Sequence, residues 1–278
     1  MSVQENDQFD EFGLPRYLDM QAEIGYTKHI GGAKATNELL ELCEVGPEKV
    51  LLNVGCGAGT TSTYIVENFH CKLVGVDLKE NMIKTAHERV QRKGLADKIE
   101  FRRADAQDLP FEQDTFDILI CESVNIFIPD KTKAMGEYKR VVKPGGYVGL
   151  NEPVLLQSPS SGVADLISEV VGHEIFRASV WEDLLWEVGL TNVIARIYAN
   201  PVREESRSQM ALLDVRDILR MLRIFITMVF KSPYTRTLVK QATAASPREY
   251  MEYLGYGLFV ARKEGSSLSD RNAGVKCL

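Results

Sequence analysis

A glycine-rich turn directly after a short apolar run is the strongest chemical signal in the sequence. The run Val50–Val54 is followed by Gly55, Gly57 and Gly59, and then by a predicted helix from Thr60. Glycine lets the backbone adopt positive φ and approach a ligand without an intervening Cβ, and a helix N-terminus supplies N–H donors. The turn therefore predicts a nucleotide-like ligand. A dinucleotide fingerprint would place its third glycine at position 60, so the spacing disfavours a nicotinamide dehydrogenase.

Two carboxylates follow the next two predicted strands. Asp77 closes the apolar run 73–76, about 20 residues beyond the glycines, where a carboxylate can accept hydrogen bonds from both hydroxyls of a ribose. Asp105 follows the run Ile99–Arg103 and can accept from an adenine amino group. Two other interpretations stay open, because Asp77 could cap the helix that follows and Asp105 could be a solvated loop acid.

The elements that must position these residues alternate between strand and helix with short connections. Such alternation predicts an α/β fold with an open, mostly parallel sheet and helices on both faces. Ligands of such sheets lie beyond the carboxyl ends of the strands, where every candidate residue falls. The predicted strands are 49–54, 72–76, 99–103, 116–121 and 147–151, with further strands at 193–198 and 256–262.

The ordered series of motifs resembles the class I S-adenosylmethionine-dependent methyltransferases. It consists of the segments 50–59, 74–77, 104–106, 116–122 and 141–146. Within that family it is similar to the ubiquinone/menaquinone C-methyltransferase-like group of small-molecule enzymes. The resemblance implies a doubly wound, mostly parallel seven-stranded sheet with an antiparallel last strand, and S-adenosyl-L-methionine as the cofactor.

The resemblance also implies roles for single residues. Gly55, Gly57 and Gly59 would pass the methionine moiety, Asp77 would hold the ribose and Asp105 the adenine. Asn53 departs from the family, which usually has an acid there, so its contact with the cofactor ammonium is in doubt. The expected cofactor-binding set is Tyr26, Asn53, Gly55, Gly57, Gly59, Asp77, Leu78, Met82, Asp105, Ala106 and Glu122.

Three residues are candidates for acid–base catalysis. Methyl transfer from a sulfonium is an in-line displacement, and carbon, oxygen or protonated-amine acceptors need a base. His29 lies in the N-terminal loop that commonly folds over the cofactor in this family, Glu122 follows the fourth predicted strand and Glu152 follows the fifth. Each could instead be a packing or surface residue.

A basic amphipathic segment occupies residues 211–231. Arg216, Arg220 and Arg223 recur at helical spacing, and leucine, isoleucine and valine lie on the other side. Three interpretations stay open: a helix packed on the core with a solvated arginine face, a lid over an apolar acceptor, and a weak contact with a membrane surface.

Composition limits the partners and the compartment. The formal net charge of −6 over 278 residues disfavours a nucleic-acid partner. The five cysteines form no CxxC pair, so no metal site or disulfide framework is predicted. The acidic N-terminus does not resemble a signal peptide, and no apolar run reaches ~18 residues, which makes a cytoplasmic location the default. No particular oligomeric state is indicated.

The expected organisation has three parts. An N-terminal tail and cofactor-covering segment (1–32) precedes a methyltransferase domain (33–263) with a helical insertion at 200–250, and a flexible tail (264–278) follows. The expected activity is methyl transfer to a small apolar or amphipathic molecule through a carbon, oxygen or nitrogen acceptor. The alternatives are a cofactor-binding protein without catalysis and a thiol or arsenite S-methyltransferase, for which Cys121 is the cysteine nearest the site.

Overall fold

The computed structural model describes residues 17–160, 162, 173–199, 207–213, 215–231 and 252–265. The predicted tail 1–16, most of the tail 264–278 with Cys277, and the remainder of the predicted insertion lie outside these residues. Residues 163–172 of a helix expected over 163–176 also lie outside them, and 173–176 are not helical.

Seven strands form one sheet in the order β3-β2-β1-β4-β5-β7-β6. The first five strands run parallel, and β7 is antiparallel to both of its neighbours. The predicted fold class is therefore confirmed. The strands are β1 Val50–Val54, β2 Lys72–Asp77, β3 Ile99–Arg103, β4 Phe116–Glu122, β5 Val142–Leu155, β6 Thr191–Ala199 and β7 Leu254–Arg262.

Helices cover both faces of the sheet, each over its own apolar core. On one face, Leu39 and Ile65 are fully buried with the apolar side chains of β1 and β2. On the other face, Tyr138 and Trp181 are fully buried against β4 and β5. The helices are α1 Tyr17–Ile24, α2 Gly32–Leu42, α3 Thr60–Phe69, α4 Glu80–Lys93, α5 Lys131–Val141, α6 Ala178–Glu187 and α7 Val215–Lys231.

The register of the parallel strands brings their polar ends together. Val54 lies level with Val76 of β2 and with Cys121 of β4, and Glu122 lies level with Asn151 of β5. The residues that follow these positions therefore share one edge of the sheet. The topological switch, where strand order reverses between β1 and β4, lies at the centre of that edge.

Two predicted boundaries are wrong. β5 extends through residues 142–155 instead of 147–151, because antiparallel pairing with β7 supplies partners from Tyr147 as far as Leu155, a non-local contribution. Helix α7 begins at Val215 instead of 211, because Ala211 and Leu212 form a turn.

The expectation that the apolar side of α7 packs on the core is also wrong. Val215, Leu219, Leu222 and Ile226 are exposed at 71%, 62%, 54% and 46%. The polar Asp217 points inward instead, and it is only 5% exposed. The helix is held against the body of the protein by charged side chains of its inner face.

Candidate active site

A cavity of about 760 Å³ opens at the carboxyl edge of the sheet. Its volume lies in the range of small-molecule and cofactor sites. The N-terminal segment, the glycine turn, the ends of β2 and β3 and the loop after β4 all contribute to its wall. The predicted residues that line it are His29, Asn53, Gly55, Gly57, Asp77, Leu78, Met82, Asp105, Ala106 and Glu122, whereas Tyr26, Gly59 and Glu152 lie outside its lining.

The glycine turn is needed for close packing around the cavity. Gly55 and Gly57 have φ of 69° and 52°, a region that side-chain-bearing residues rarely adopt. A Cβ on Gly55 would overlap Val124 Cγ2, and a Cβ on Gly57 would lie 2.5 Å from Thr27 Oγ1. The turn therefore lets two loops approach the cavity at once. Thr27 could not be found from the sequence, because its partner is 30 positions away.

Asp77 is held by backbone N–H groups at the end of β2. Its Oδ2 accepts from Gly57 N at 2.9 Å and its Oδ1 accepts from Lys79 N at 3.0 Å. Burial raises the pKa of Asp77, and these N–H bonds oppose that shift. Lys79, and not Asp77, is the N-cap residue of α4. The carboxylate keeps lone pairs for hydroxyl donors in the cavity.

Asp105 faces the cavity from the end of β3 in a local turn. Its Oδ1 accepts from the backbone N of Gln107 at 2.8 Å and from Gln107 Nε2 at 3.2 Å. Gln107 also lines the cavity. The Asp-x-Gln order is the signal that could have indicated this turn, because aspartate often bonds the backbone two residues on.

The N-terminal segment lies across the ends of β4 and β5. Ile30 N donates to Ser123 Oγ at 3.0 Å, and Asn151 Nδ2 donates to Ile30 O at 2.8 Å. These bonds place residues 27–30 in the cavity wall. The segment is therefore a cover over the site, held by its backbone at Ile30.

Tyr26 points away from the cavity. Its hydroxyl donates to Gln209 Oε1 at 2.6 Å, and Gln209 Nε2 donates to the carbonyl of His29. Gln209 lies in the helical turn 207–210 of the insertion, and it is 6% exposed. Tyr26 thus joins the insertion to the N-terminal cover.

A buried polar cluster joins His29 to Glu122 at the cavity wall. Thr36 Oγ1 donates to Glu122 Oε1 at 2.9 Å and lies 3.3 Å from His29 Nε2. His29 Nδ1 is 3.6 Å from Glu122 Oε1, and Asn151 Nδ2 donates to the same oxygen at 3.3 Å. Glu122 Oε2 is buried and has no hydrogen-bond partner. A carboxylate oxygen in this state can accept a proton or hydrogen bond from a bound molecule.

Glu152 lies behind the wall and supports the loop after β4. Its Oε1 accepts from Asn125 Nδ2 at 2.7 Å, Asn125 N at 3.0 Å and Val124 N at 3.3 Å. Burial raises the pKa of Glu152 to about 7. Tyr138 OH donates to Asn125 Oδ1 at 2.9 Å, which completes the support. Val124 then lines the cavity, so Glu152 acts on the site through this loop.

Comparison with known proteins identifies the family. Residues 52–150 match the model of a family described as "Methyltransferase domain". An uncharacterized protein of Haemophilus influenzae is 33% identical over 177 residues, which are 62% of this chain and 70% of that protein. The strand order and the antiparallel β7 agree with this match. The chain belongs to the class I S-adenosylmethionine-dependent methyltransferases.

Two further relatives carry functional names. Phosphoethanolamine N-methyltransferase 3 of Arabidopsis thaliana is 30% identical over 193 residues, which are 69% of this methyltransferase but only 38% of that protein. The structure of Haemonchus contortus phosphoethanolamine N-methyltransferase 2 in complex with S-adenosyl-L-methionine aligns with a TM-score of 0.66 at 20% identity. It covers 90% of this chain and 58% of that chain, and at this identity it shows the shared fold.

The cofactor of the methyltransferase is S-adenosyl-L-methionine, and the chemistry of the cavity fits it. The turn Gly55–Gly57 leaves no Cβ between its backbone and a ligand. Asp77 and Asp105 offer acceptors for hydroxyl and amino groups at successive strand ends. Asn53, at the position of the usual acid, donates from Nδ2 to Ser62 Oγ at 3.0 Å and still lines the cavity.

The cysteines of the methyltransferase give little support to sulfur chemistry. Cys43, Cys56, Cys71 and Cys121 are free and buried. Cys121 does not line the cavity. Cys56 does, but burial raises the pKa of its thiol well above the ordinary value. Among the described residues no group of metal-ligating side chains converges.

The part of the cavity wall furthest along β5 is apolar. It is formed by the loop after β4, by β5 and by the segments before α6 and at the start of β7. Its members are Val124, Ile126, Phe127, Ile128, Pro129, Pro153, Ile175 and Leu254.

No helix in the described part of this methyltransferase combines the length and the apolar character that crossing a bilayer requires.

Proposed function

We propose that this methyltransferase acts on a small apolar or amphipathic acceptor, such as a quinone or lipid precursor, bound against the apolar wall at Ile126–Pro129. The carrying observation is that this wall is continuous with the cavity that contains Asp77 and Glu122. An apolar acceptor would be desolvated there, and removal of water favours a displacement at a sulfonium methyl group.

The charges of the cavity favour an uncharged acceptor over a phosphorylated one. Among the described residues that line it, Lys28 and Lys79 are the only lysines or arginines. Lys79 Nζ lies 2.7 Å from Asp19 Oδ1 and follows Asp77, on the side proposed for the cofactor. A phosphate group would need a basic cluster beside the acceptor. This difference separates the proposed acceptor from the one named for the plant relative.

We assign the cofactor contacts to the strand ends. Asp77 would accept from the ribose hydroxyls, Asp105 would accept from the adenine amino group, and the backbone at Gly55 and Gly57 would pass the methionine moiety. The N–H bonds that hold Asp77 support this assignment, because they set the orientation of its carboxylate before any ligand binds.

We assign the acid–base role to Glu122, with His29 as its partner. When bound, the cofactor supplies an electrophilic methyl group on a sulfonium. Glu122 Oε2 would take the proton that a hydroxyl, carbon or ammonium acceptor gives up as it is methylated. Thr36 bonds Glu122 Oε1 and lies within reach of His29 Nε2, so it links the carboxylate to a second proton-carrying group.

A turnover assay tests both the acceptor and the base. Release of S-adenosylhomocysteine is measured with a panel of quinols, phenols and prenylated aromatics, and with phosphoethanolamine for comparison. We expect turnover with a member of the apolar panel and none with phosphoethanolamine. Preference for phosphoethanolamine would overturn the proposed acceptor class.

The variant Glu122→Gln separates the base from the binding site. Loss of a general base lowers kcat by about 10²–10⁴-fold, whereas calorimetric affinity for the cofactor should stay within about threefold of the wild-type value. Glu187→Gln, on the exposed end of α6, is the matched control and should leave both quantities unchanged. A Glu122→Gln protein with full kcat would show that the base lies elsewhere.

A further inference from the structure

Helix α7 presents a continuous apolar face to solvent. Val215, Leu219, Leu222 and Ile226 are spaced by four, three and four residues, which places them on one side of a helix. Their exposure of 46–71% is unusual for large apolar side chains that form one stripe. We call these four residues the outer face of α7.

Arginine side chains border the outer face. Arg216 and Arg223 lie about 80–100° around the helix from Val215 at 100° per residue, and both are exposed. The one acidic residue of the helix, Asp217, is turned inward and is 5% exposed. The solvent-facing surface of α7 therefore combines an apolar stripe with positive charge and contains no carboxylate.

Charged contacts of the inner face hold this orientation. Arg89 Nη1 lies 2.5 Å from Asp217 Oδ2, and Arg89 is 2% exposed. Arg220 Nη2 donates to Glu88 Oε2 at 3.2 Å. The helix also packs against α1. Rotating the apolar stripe toward the core would break the buried Arg89–Asp217 pair, and leaving one buried charge unpaired is costly.

We propose that the outer face of α7 docks on an anionic lipid surface, with the helix axis in the plane of the membrane interface. An exposed apolar stripe with arginines along its border is the arrangement of helices that bury one side in the headgroup region. The arginines would meet anionic headgroups, which attract basic side chains near the surface. This docking goes beyond the proposed methyl transfer and does not depend on it.

Charge favours lipid over a second copy of the chain. Two outer faces packed on each other would bring like-charged arginine borders together without any exposed carboxylate of α7 to pair with them. An anionic bilayer satisfies the stripe and the border at once.

The position of α7 gives the docking a consequence for the cavity. Helix α7 packs on α1, and Leu18 and Gln21 of α1 line the cavity. Arg89, which holds α7 through Asp217, also donates to Gly25 O at 2.5 Å and to Ala58 O at 3.1 Å. A bilayer bound at the outer face would therefore lie next to the elements that cover the site.

Vesicle flotation tests the proposal with the full-length protein. Binding is measured to vesicles of phosphatidylcholine alone and of phosphatidylcholine with 30% phosphatidylglycerol. We expect partitioning to the anionic vesicles to exceed that to the neutral ones by about tenfold or more and to fall when NaCl is raised from 0.1 to 0.5 M. Equal recovery in the unbound fraction with both vesicles would overturn the proposal.

Paired variants separate the two parts of the surface. Leu219→Glu/Leu222→Glu should lower partitioning by about 100-fold, since each leucine buried in lipid contributes roughly tenfold or more. Arg216→Gln/Arg223→Gln should abolish the preference for anionic vesicles while sparing the stripe. Ile194→Glu/Ile197→Glu on β6 adds the same charge to isoleucines that are 44% and 43% exposed, and it should leave binding unchanged.

Two measurements without lipid exclude other occupants of the outer face. Thermal unfolding of the Leu219→Glu/Leu222→Glu protein should match the wild type within about 2 °C. A large drop would show that another part of the chain covers the stripe and would overturn the proposal. Sedimentation analysis should give the same mass for both proteins, whereas a wild-type dimer that the variant dissociates would assign the face to a second copy.

Discussion

Replacing Glu152 by glutamine changes how the loop behind the cavity is held, and the change should depend on pH. Burial raises the pKa of Glu152 from its ordinary value of 4.5 to about 7 in the folded protein. Between these two values the folded protein holds a proton that the unfolded chain has released. The free energy of unfolding must therefore fall as pH rises through this interval, and the contribution becomes level above pH 7.

The shift of about 2.5 pKa units corresponds to about 3 kcal/mol when it is fully expressed, because one unit equals about 1.4 kcal/mol. Between pH 5 and pH 8 the expressed part is about 2 kcal/mol. Glutamine does not titrate, so the stability of the Glu152→Gln protein relative to wild type should rise by about this amount over that range. A constant offset from the substituted amide would leave this slope unchanged.

Urea unfolding at pH 5, 6, 7 and 8 measures the slope. The difference between the two proteins cancels the titration of every other group, including Asp77, whose pKa is also raised by burial. Glu187→Gln, at an exposed site, should give a level difference across the series. A level or falling difference for Glu152→Gln would refute the conclusion that this carboxyl is held in a proton-binding environment.

Three further substitutions test the cavity and its cover. Asp77→Asn should weaken cofactor binding by tenfold or more in calorimetry, because an amide replaces one hydroxyl-accepting oxygen with a donor; unchanged affinity would remove Asp77 from the ribose site. Gly55→Ala should lower stability by about 1–3 kcal/mol because its Cβ would overlap Val124, and adding Val124→Ala should recover part of that loss. Arg89→Met should cost about 3–5 kcal/mol by stranding Asp217; adding Asp217→Asn should restore part of it, and strictly additive effects would show that the two residues do not interact.

The donor end of the cavity could be predicted because its determinants are local. The glycines, Asp77 and Asp105 follow strands directly, and strand ends can be recognised from runs of apolar residues. The parallel sheet then brings them to one edge without any further information. The structure places Gly55, Asp77 and Asp105 in one cavity, as the order of the motifs indicates.

Contacts between distant segments could not be predicted in this way. Thr36 and Glu122 are 86 positions apart, and Ile30 and Ser123 are 93 apart. No periodicity relates such pairs, and the residue that contributes at Ile30 is an ordinary apolar side chain acting through its backbone. The sequence indicated His29 and Glu122 separately, but only the fold shows that Thr36 connects them.

Helix α7 shows a different limit of pattern analysis. The spacing of its arginines and leucines predicted an amphipathic helix, and the structure has one. The pattern does not specify which side meets the protein, because that depends on whether the body offers an apolar groove or a buried charge. Here Arg89 offers a charge, and Asp217 takes the inward position that a leucine was expected to fill.

The two ends of the cavity are built by different means, and this difference bears on how the acceptor is chosen. Donor-end residues lie on the strand ends of a rigid sheet, whereas the apolar wall is assembled from the loop after β4, Pro153, Ile175 and Leu254. These segments are separated along the chain and contribute mainly side chains, so they can change without disturbing the donor end. Glu122 stands at the junction, with one oxygen bonded to Thr36 and the other without a partner. A relative could therefore keep the methyl donor and the reaction while it exchanges the wall for one that suits a phosphorylated amine.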